Sequence, residues 1–218
     1  MAKGENKKLI EFLTKFIVES DAIESIEDDP NLVSRQLQKK SKKGHAGALL
    51  LLESLAREKE KELTGDIVCK VQGLITAEQH TKTGGTALKP EWIGKYRPVN
   101  VSIGGRLAPP PAMVPSLMMA WAYGVRIWQR SASAENDMAK LRQISRFHFE
   151  YERIHPFADG NGRSGRAIVY YLMRYCGLDP FIFTAADRFN TYYRCFQDRE
   201  AMCRYFETAW QDETKLYK

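Results

Sequence analysis

The 218-residue sequence lacks any long apolar run; its richest stretch, Ala48 to Leu52, is far too short to cross a bilayer, which takes about 20 residues. No membrane association is expected. Cysteine is scarce: Cys69, Cys176, Cys195 and Cys203 form no CxxC pair and have no histidine at metal-ligand spacing. That removes a disulfide framework and a zinc site, and leaves buried, reduced thiols as the reading. The start, Met1 to Phe12, is charged and lacks the apolar centre of a signal peptide. A cytoplasmic protein is expected, although a translocated effector without a cleavable leader would look the same. Internal repeats and low-complexity tracts are also missing. Disorder is not expected, because 44% of residues are hydrophobic and 28% charged, close to ordinary globular proteins. A net charge of +6 has one clear cluster, Lys39, Lys40, Lys42 and Lys43. Without a recognisable binding module, that run reads as a solvated connection and nucleic acid is not expected as the main partner.

What is present is mostly helical pattern. Leu9, Phe12, Leu13, Phe16 and Ile17 share one helical face, and Pro30 marks a turn over Glu27 to Asn31. Helices are predicted over Ala46–Glu62, Asp66–Gln79, Pro115–Gln129, Glu135–Ile154 and Gly162–Tyr175, the last stopped by Gly177. One or two closing helices are expected within Asp187–Trp210. Between Thr81 and Pro111 the glycines and prolines exclude long helices. Inside that stretch Val99-Asn100-Val101-Ser102-Ile103 alternates apolar and polar, the period of a half-buried strand, and predicts a short hairpin or flap. The fold class is therefore all-α with one small β element.

The chemistry gathers in one loop, His155-Pro156-Phe157-Ala158-Asp159-Gly160-Asn161-Gly162-Arg163-Ser164-Gly165-Arg166, between two strong helices. Gly160 and Gly162 let backbone N–H groups approach a ligand. The next helix begins at once, and its unpaired N–H groups favour a phosphate. Arg163 and Arg166, three apart, can grip phosphates with forked hydrogen bonds. Asp159 offers an oxygen suited to magnesium shared with substrate phosphates. His155 can take a proton near neutral pH. Any one of these residues alone would read as a helix-linking turn; together they describe phosphoryl or nucleotidyl transfer.

The loop is similar at every specified position to the Fic motif, HxFx(D/E)GNGRxxR, and the segment from His148 to Ile154 resembles that family's lead-in. Gly94-Lys95-Tyr96-Arg97, Val99 to Ile103 and Pro109-Pro110 resemble its flap, and Asn190 to Tyr193 its late tyrosine pair. The resemblance implies a Fic fold, a helical bundle with a short hairpin over the active site. It implies an adenylyltransferase that moves AMP from ATP, with Mg²⁺, onto a Ser, Thr or Tyr hydroxyl of a protein substrate. His155 would be the base and Asp159 the metal ligand. Asn161, with the backbone around Gly160 and Gly162, would bind the α- and β-phosphates; Arg163 would stabilise the leaving pyrophosphate and Arg166 would hold the γ-phosphate. Val99, Asn100, Val101, Ser102 and Ile103 would dock the target by main-chain pairing. Phe157 is assigned packing. Gly162, where the family's phosphotransferase branch has lysine, leaves the AMP-transferring orientation open.

Ser20-Asp21-Ala22-Ile23-Glu24 matches the core of the same family's inhibitory pattern, (S/T)xxxE(G/N), with Ser25 departing at the last position. The resemblance implies that Glu24 occupies Arg166 and displaces the γ-phosphate; the same glutamate could instead orient a water for AMP removal. The implied division is 1–85, an N-terminal helical region with the inhibitory helix, and 86–218, the catalytic core. His45 is expected to be exposed, His80 to sit in a polar connector, and His148 to be structural. Trp121 and Trp128 are expected in the core, and packing is favoured for Met113, Met118 and Met119. Rival readings are transfer of another nucleotide or group, and a catalytically silent interaction module; a homo-oligomer is open.

Overall fold

The computed structural model describes residues 3–58, 62–77, 88–186 and 188–216. Its helices are α1 (Lys3–Ile23), α2 (Pro30–Gln38), α3 (Gly44–Glu58), α4 (Gly65–Thr76), α5 (Val114–Ser131), α6 (Asp137–Ile154), α7 (Asn161–Tyr175) and α8 (Arg199–Leu216). The one sheet among the described residues pairs β1 (Ser102–Ile103) with β2 (Arg106–Leu107), antiparallel. None of the described helices is long and apolar enough to cross a membrane.

Helix α7 is the axis. Every residue from Ala167 to Met173 is at most 2% exposed, the mark of a helix apolar on all sides and enclosed on all sides. It packs against α1, α3, α4 and α6, while α5 and α8 flank α6. Burying this many aliphatic and aromatic side chains, at about 25 cal/mol per Å² of apolar surface, is the main drive to fold. Side chains set the helix ends. Asp29, Thr64 and Asn136 cap α2, α4 and α6 by accepting backbone N–H groups of Asn31, Ile67 and Ala139, and Pro30 stands at the first position of α2, where its missing N–H costs nothing. Gly177, at φ 83°, ends α7: the Leu178 N–H reaches the Met173 carbonyl at 2.9 Å and the Gly177 N–H reaches that of Arg174 at 3.3 Å.

Several expectations need correction. The helix expected over Ala46–Glu62 runs from Gly44 to Glu58, and Glu62 lies outside any helix, holding Arg126 and Arg130 instead. Helix α4 stops at Thr76; Gln79 and His80 lie outside the described residues. The closing helix begins only at Arg199, after a 3₁₀ segment, Tyr192–Gln197. The strand expected over Val99–Ile103 is shorter: Val99, Asn100 and Val101 are unpaired in the ladder, apart from the Ala108 N–H donating to the Val101 carbonyl. Gly104 and Gly105, at φ 54° and 83°, close the hairpin, as a two-residue turn with positive φ at both positions requires. His45 is buried at 8% exposure, not exposed. Met118 is buried, while Met113 and Met119 are exposed. Trp121, Trp128 and Phe157 lie in the core as expected.

Candidate active site

Helix α6 ends on His155 itself, whose φ of 50° and ψ of 64° are left-handed, a conformation that costs a non-glycine residue roughly 1–2 kcal/mol. The turn brings His155 to the rim of a cleft of about 1350 Å³, lined also by Glu24, Glu152, Gly162, Arg166, Tyr192, Tyr193 and the hairpin. His155 Nδ1 lies 3.3 Å from the Glu152 carbonyl. A proton on Nδ1 shared with that carbonyl leaves Nε2 as the basic nitrogen. Burial, aided by the Arg97 charge, lowers the imidazole to about 4 against the pull of the Glu152 carbonyl, so it is neutral at physiological pH and free to accept a proton.

The loop is braced from within. The Asn161 side chain takes the Phe157 N–H and donates to the Phe157 carbonyl, both at 2.8 Å, and is 2% exposed. Its amide therefore closes the turn rather than facing the cleft. Phe157 is fully buried and packs on Tyr96. Gly160, the left-handed N-cap of α7, carries no side-chain cap, which leaves the first N–H groups of α7 as a candidate anion seat; of the residues there Gly162 lines the cleft, whereas Asp159, Gly160, Asn161 and Arg163 do not. A side chain on Gly160 would collide with Thr76, 2.6 Å from its Cβ. Asp159 is half exposed, and its Oδ1 receives the Gly160 N–H and lies 3.4 Å from Arg163 Nη2.

Both motif arginines are buried, and both meet α1. Arg166 donates from Nε to Ser20 Oγ at 2.9 Å, and from Nη2 to the Ser20 carbonyl at 2.7 Å and Glu24 Oε1 at 2.8 Å. A Cβ on Gly162 would run into Glu24 Oε1. The Glu24 carboxylate thus sits over the first turn of α7, against the anion seat. Arg163 Nε lies 4.0 Å from Asp21 Oδ1, so the two guanidinium groups face two different carboxylates of one helix end. The structure thereby brings together Ser20, Glu24, Gly162 and Arg166, with His155 across the same cleft. Of the predicted flap residues, Ser102 and Ile103 line the cleft; Val99, Asn100 and Val101 do not.

Four residues around the site were not picked out from sequence. Gln72, fully buried, donates to the Asp159 carbonyl at 2.9 Å and accepts the Gly94 N–H at 2.7 Å. Arg97 reaches the carbonyls of His155, Val99, Pro109 and Ile154 at 2.7, 2.8, 2.6 and 3.3 Å. Asp21 bonds His45 Nδ1 at 3.1 Å; burial would raise its carboxyl, but His45 and Arg163 hold it well below the usual carboxylate range. Glu152 is buried behind His155. A signal existed for Arg97, Glu152 and Asp21, which fall inside segments resembling the family; Gln72 acts over a long sequence separation that periodicity does not reveal. His148 is structural as expected: its Nε2 bonds the Tyr192 hydroxyl at 2.7 Å, and burial lowers it to about 3.

The model of the Fic/DOC family matches residues 62–173, which carry this loop and its supporting helices. The chain belongs to the Fic/DOC family. Curated Fic relatives include the protein adenylyltransferase Fic of Drosophila grimshawi, 29% identical over 100 residues, 46% of this chain and 20% of that protein. The Nematostella vectensis protein of the same name is 25% identical over 145 residues, 66% of this chain and 31% of that one. The chain thus spans about a fifth to a third of these relatives' lengths. Among solved Fic structures, a Fic domain containing signaling protein from Bacteroides thetaiotaomicron superposes with a TM-score of 0.72 at 19% identity, covering 95% of this chain and 87% of that one. Fic-1 from C. elegans gives 0.62 at 17%, covering 97% and 63%. These confirm the all-α Fic fold with its small hairpin.

Proposed function

We propose that the protein transfers AMP from ATP to a Ser, Thr or Tyr hydroxyl of a protein substrate and is restrained by its own Glu24. The observation that carries this is the Glu24 carboxylate lying against Gly162 and Arg166, over the N-terminus of α7, with a neutral His155 across the same cleft. In this reading residues 1–85 supply the restraint and part of the scaffold, and 86–218 the chemistry, in a cytoplasmic protein. A carboxylate held in an anion seat marks where a phosphate would bind.

His155 Nε2 takes the proton of the target hydroxyl as its oxygen attacks the α-phosphorus. The bond to the β-phosphate oxygen breaks and pyrophosphate departs with the electron pair. Backbone N–H groups at Asn161 and Gly162, with Arg163, stabilise the developing charge, while the Gly160 N–H is taken by Asp159. Arg166 holds the γ-phosphate once Glu24 leaves it. The donor chemistry fits magnesium in one respect, since Asp159 is half exposed and oxygen-bearing; nucleotide oxygens would have to complete the shell, because no group of three or more potential ligands exists among the described residues. Mg²⁺ there would neutralise phosphate charge. The exposed edge of β1 would align an extended target segment.

Label transfer from α-labelled ATP tests this. Losing charged hydrogen bonds worth roughly 1.5–3 kcal/mol predicts that Glu24→Gly raises transfer about ten- to a hundred-and-fifty-fold, and that His155→Ala in that background abolishes it. Equal rates in parent and Glu24→Gly would remove the restraint. No label in any sample, with other nucleotides and a lysate as target, would leave a silent interaction module.

A further inference from the structure

Behind His155 lies a carboxyl that the scheme above does not use. Glu152, one turn earlier on α6, is 7% exposed, lines the cleft, and places Oε2 3.7 Å from His155 Nδ1. Its other oxygen, Oε1, is buried without a hydrogen-bond partner among the described residues. A Cβ on Gly165 would run into Oε1 and press on the His148 ring, so the bare glycine backbone of α7 is what makes room for this carboxyl. A buried carboxyl oxygen with no partner costs stability, and a merely structural residue at this place would be better apolar.

We propose that Glu152 is the positioning residue of the transfer reaction: its carbonyl holds the Nδ1 edge of His155, and its carboxyl, 3.7 Å behind that edge, offsets the charge of the imidazolium formed when Nε2 takes the target's proton. The proposal rests on the AMP-transfer reading. In the step, the hydroxyl proton moves to Nε2, the new bond to the α-phosphorus forms, and pyrophosphate leaves with the electrons of the bond that breaks. The imidazolium later returns its proton to solvent. A carboxylate behind Nδ1 stabilises the imidazolium without touching the substrate, as an orienting acid does for a general base.

The charges around Glu152 are mixed. Burial raises its carboxyl to about 8, Arg166 opposes the rise, and Glu24 adds to it. His155 lies on its own helix; Arg166 and Gly165 face it from α7, Glu24 from the end of α1, and Tyr192 and Tyr193 from the 3₁₀ segment. While Glu24 is docked, then, Glu152 is largely protonated at neutral pH and cannot offset an imidazolium. Removing Glu24 takes away one cause of that protonation, so the restraint would act on the base as well as on the γ-phosphate.

Glu152→Gln, which keeps the shape and removes the titration, is the test, in the 218-residue chain. The first readout needs no turnover: NMR titration of the His155 ring should show an inflection in the neutral-to-alkaline range in the parent, lost in Glu152→Gln. The second is label transfer in the Glu24→Gly background, where Glu152→Gln should lower kcat at least about tenfold with KM for ATP little changed, and flatten the rise of rate with pH. An inflection that persists in the variant, or is absent from the parent, overturns the proposal. A raised KM with unchanged kcat also overturns it, placing Glu152 with the Arg166 grip instead. Absence of any transfer by Glu24→Gly itself would count against the AMP-transfer reading, while the ring titration would still report on the Glu152–His155 coupling.

Discussion

Arg97 is a charged side chain, 2% exposed, whose hydrogen bonds all run to main-chain carbonyls: those of His155 and Ile154 at the end of α6, Val99 ahead of the hairpin and Pro109 behind it. One guanidinium, with donors in a fixed fork, satisfies a cluster of acceptors that no regular ladder could pair. Its own N–H donates to the Pro156 carbonyl at 2.9 Å, so the hairpin and the loop of His155 are fastened through one residue. Lysine, a single point of donors, cannot span the four. Arg97→Lys should therefore lower the unfolding free energy by on the order of 2–3 kcal/mol, the cost of orphaned buried carbonyls, read as a shifted urea midpoint with an unchanged slope. In the Glu24→Gly background it should also slow label transfer, because the His155 backbone loses its tether. A midpoint within 0.5 kcal/mol of the parent, on the scale of a surface substitution, would show that the four bonds do not anchor the loop.

Helix α1 is tied down near its C-terminal end by contacts to several elements at once. Glu19 accepts the Ala185 N–H, Ser20 and Glu24 take Arg166, Asp21 takes His45, and the Ile23 carbonyl accepts the Tyr193 hydroxyl at 3.1 Å. The helix then stops in a left-handed turn at Ser25, φ 60°, with the Ile26 N–H returning to the Asp21 carbonyl at 3.0 Å. That is the position where the inhibitory pattern has glycine or asparagine, and serine adopts it at a conformational cost. Ser25→Gly should stabilise the fold by about 1 kcal/mol, less the exposed Arg188 contact to Ser25 Oγ at 3.3 Å, and should lower residual label transfer by seating Glu24 more firmly. A faster-transferring Ser25→Gly would mean that the helix end is not what holds Glu24. The helices themselves were legible because their faces repeat locally, and the loop was legible because its residue types sit within twelve consecutive positions. His45 was not: it follows two lysines, and its burial depends on Asp21, 24 residues away. The hairpin was half legible, since alternation marks Val99–Ile103 but the pairing length is set by where Arg97 pulls the backbone away toward His155.

Across the whole molecule, three buried groups at the site set how stability responds to pH. His155 and His148 are lowered from 6.5 to about 4 and about 3, each chiefly by burial, so the unfolded chain binds protons at these rings that the folded chain refuses. Stability gained from that difference is present above 6.5 and is lost as pH falls toward 4 and 3. Glu152 is shifted the other way, from 4.5 to about 8, by burial first; the folded chain keeps a proton that the unfolded chain releases. Its contribution is full below 4.5 and disappears as pH rises through about 8. Between 4.5 and 6.5 the two histidines outweigh the one glutamate and stability rises with pH. Between 6.5 and 8 only Glu152 remains of the three, and stability falls by about 1.4 kcal/mol per pH unit at most. The stability maximum should therefore lie near pH 6.5, read from urea midpoints at pH 5, 6.5 and 8. Glu152→Gln should erase the alkaline decline and steepen the acid limb between 4.5 and 6.5, from about 1.4 toward about 2.7 kcal/mol per pH unit at most, because glutamine has no proton to release and the two histidines are then unopposed. A decline of equal size in that variant would assign it to another group, and with it the charge placed behind His155.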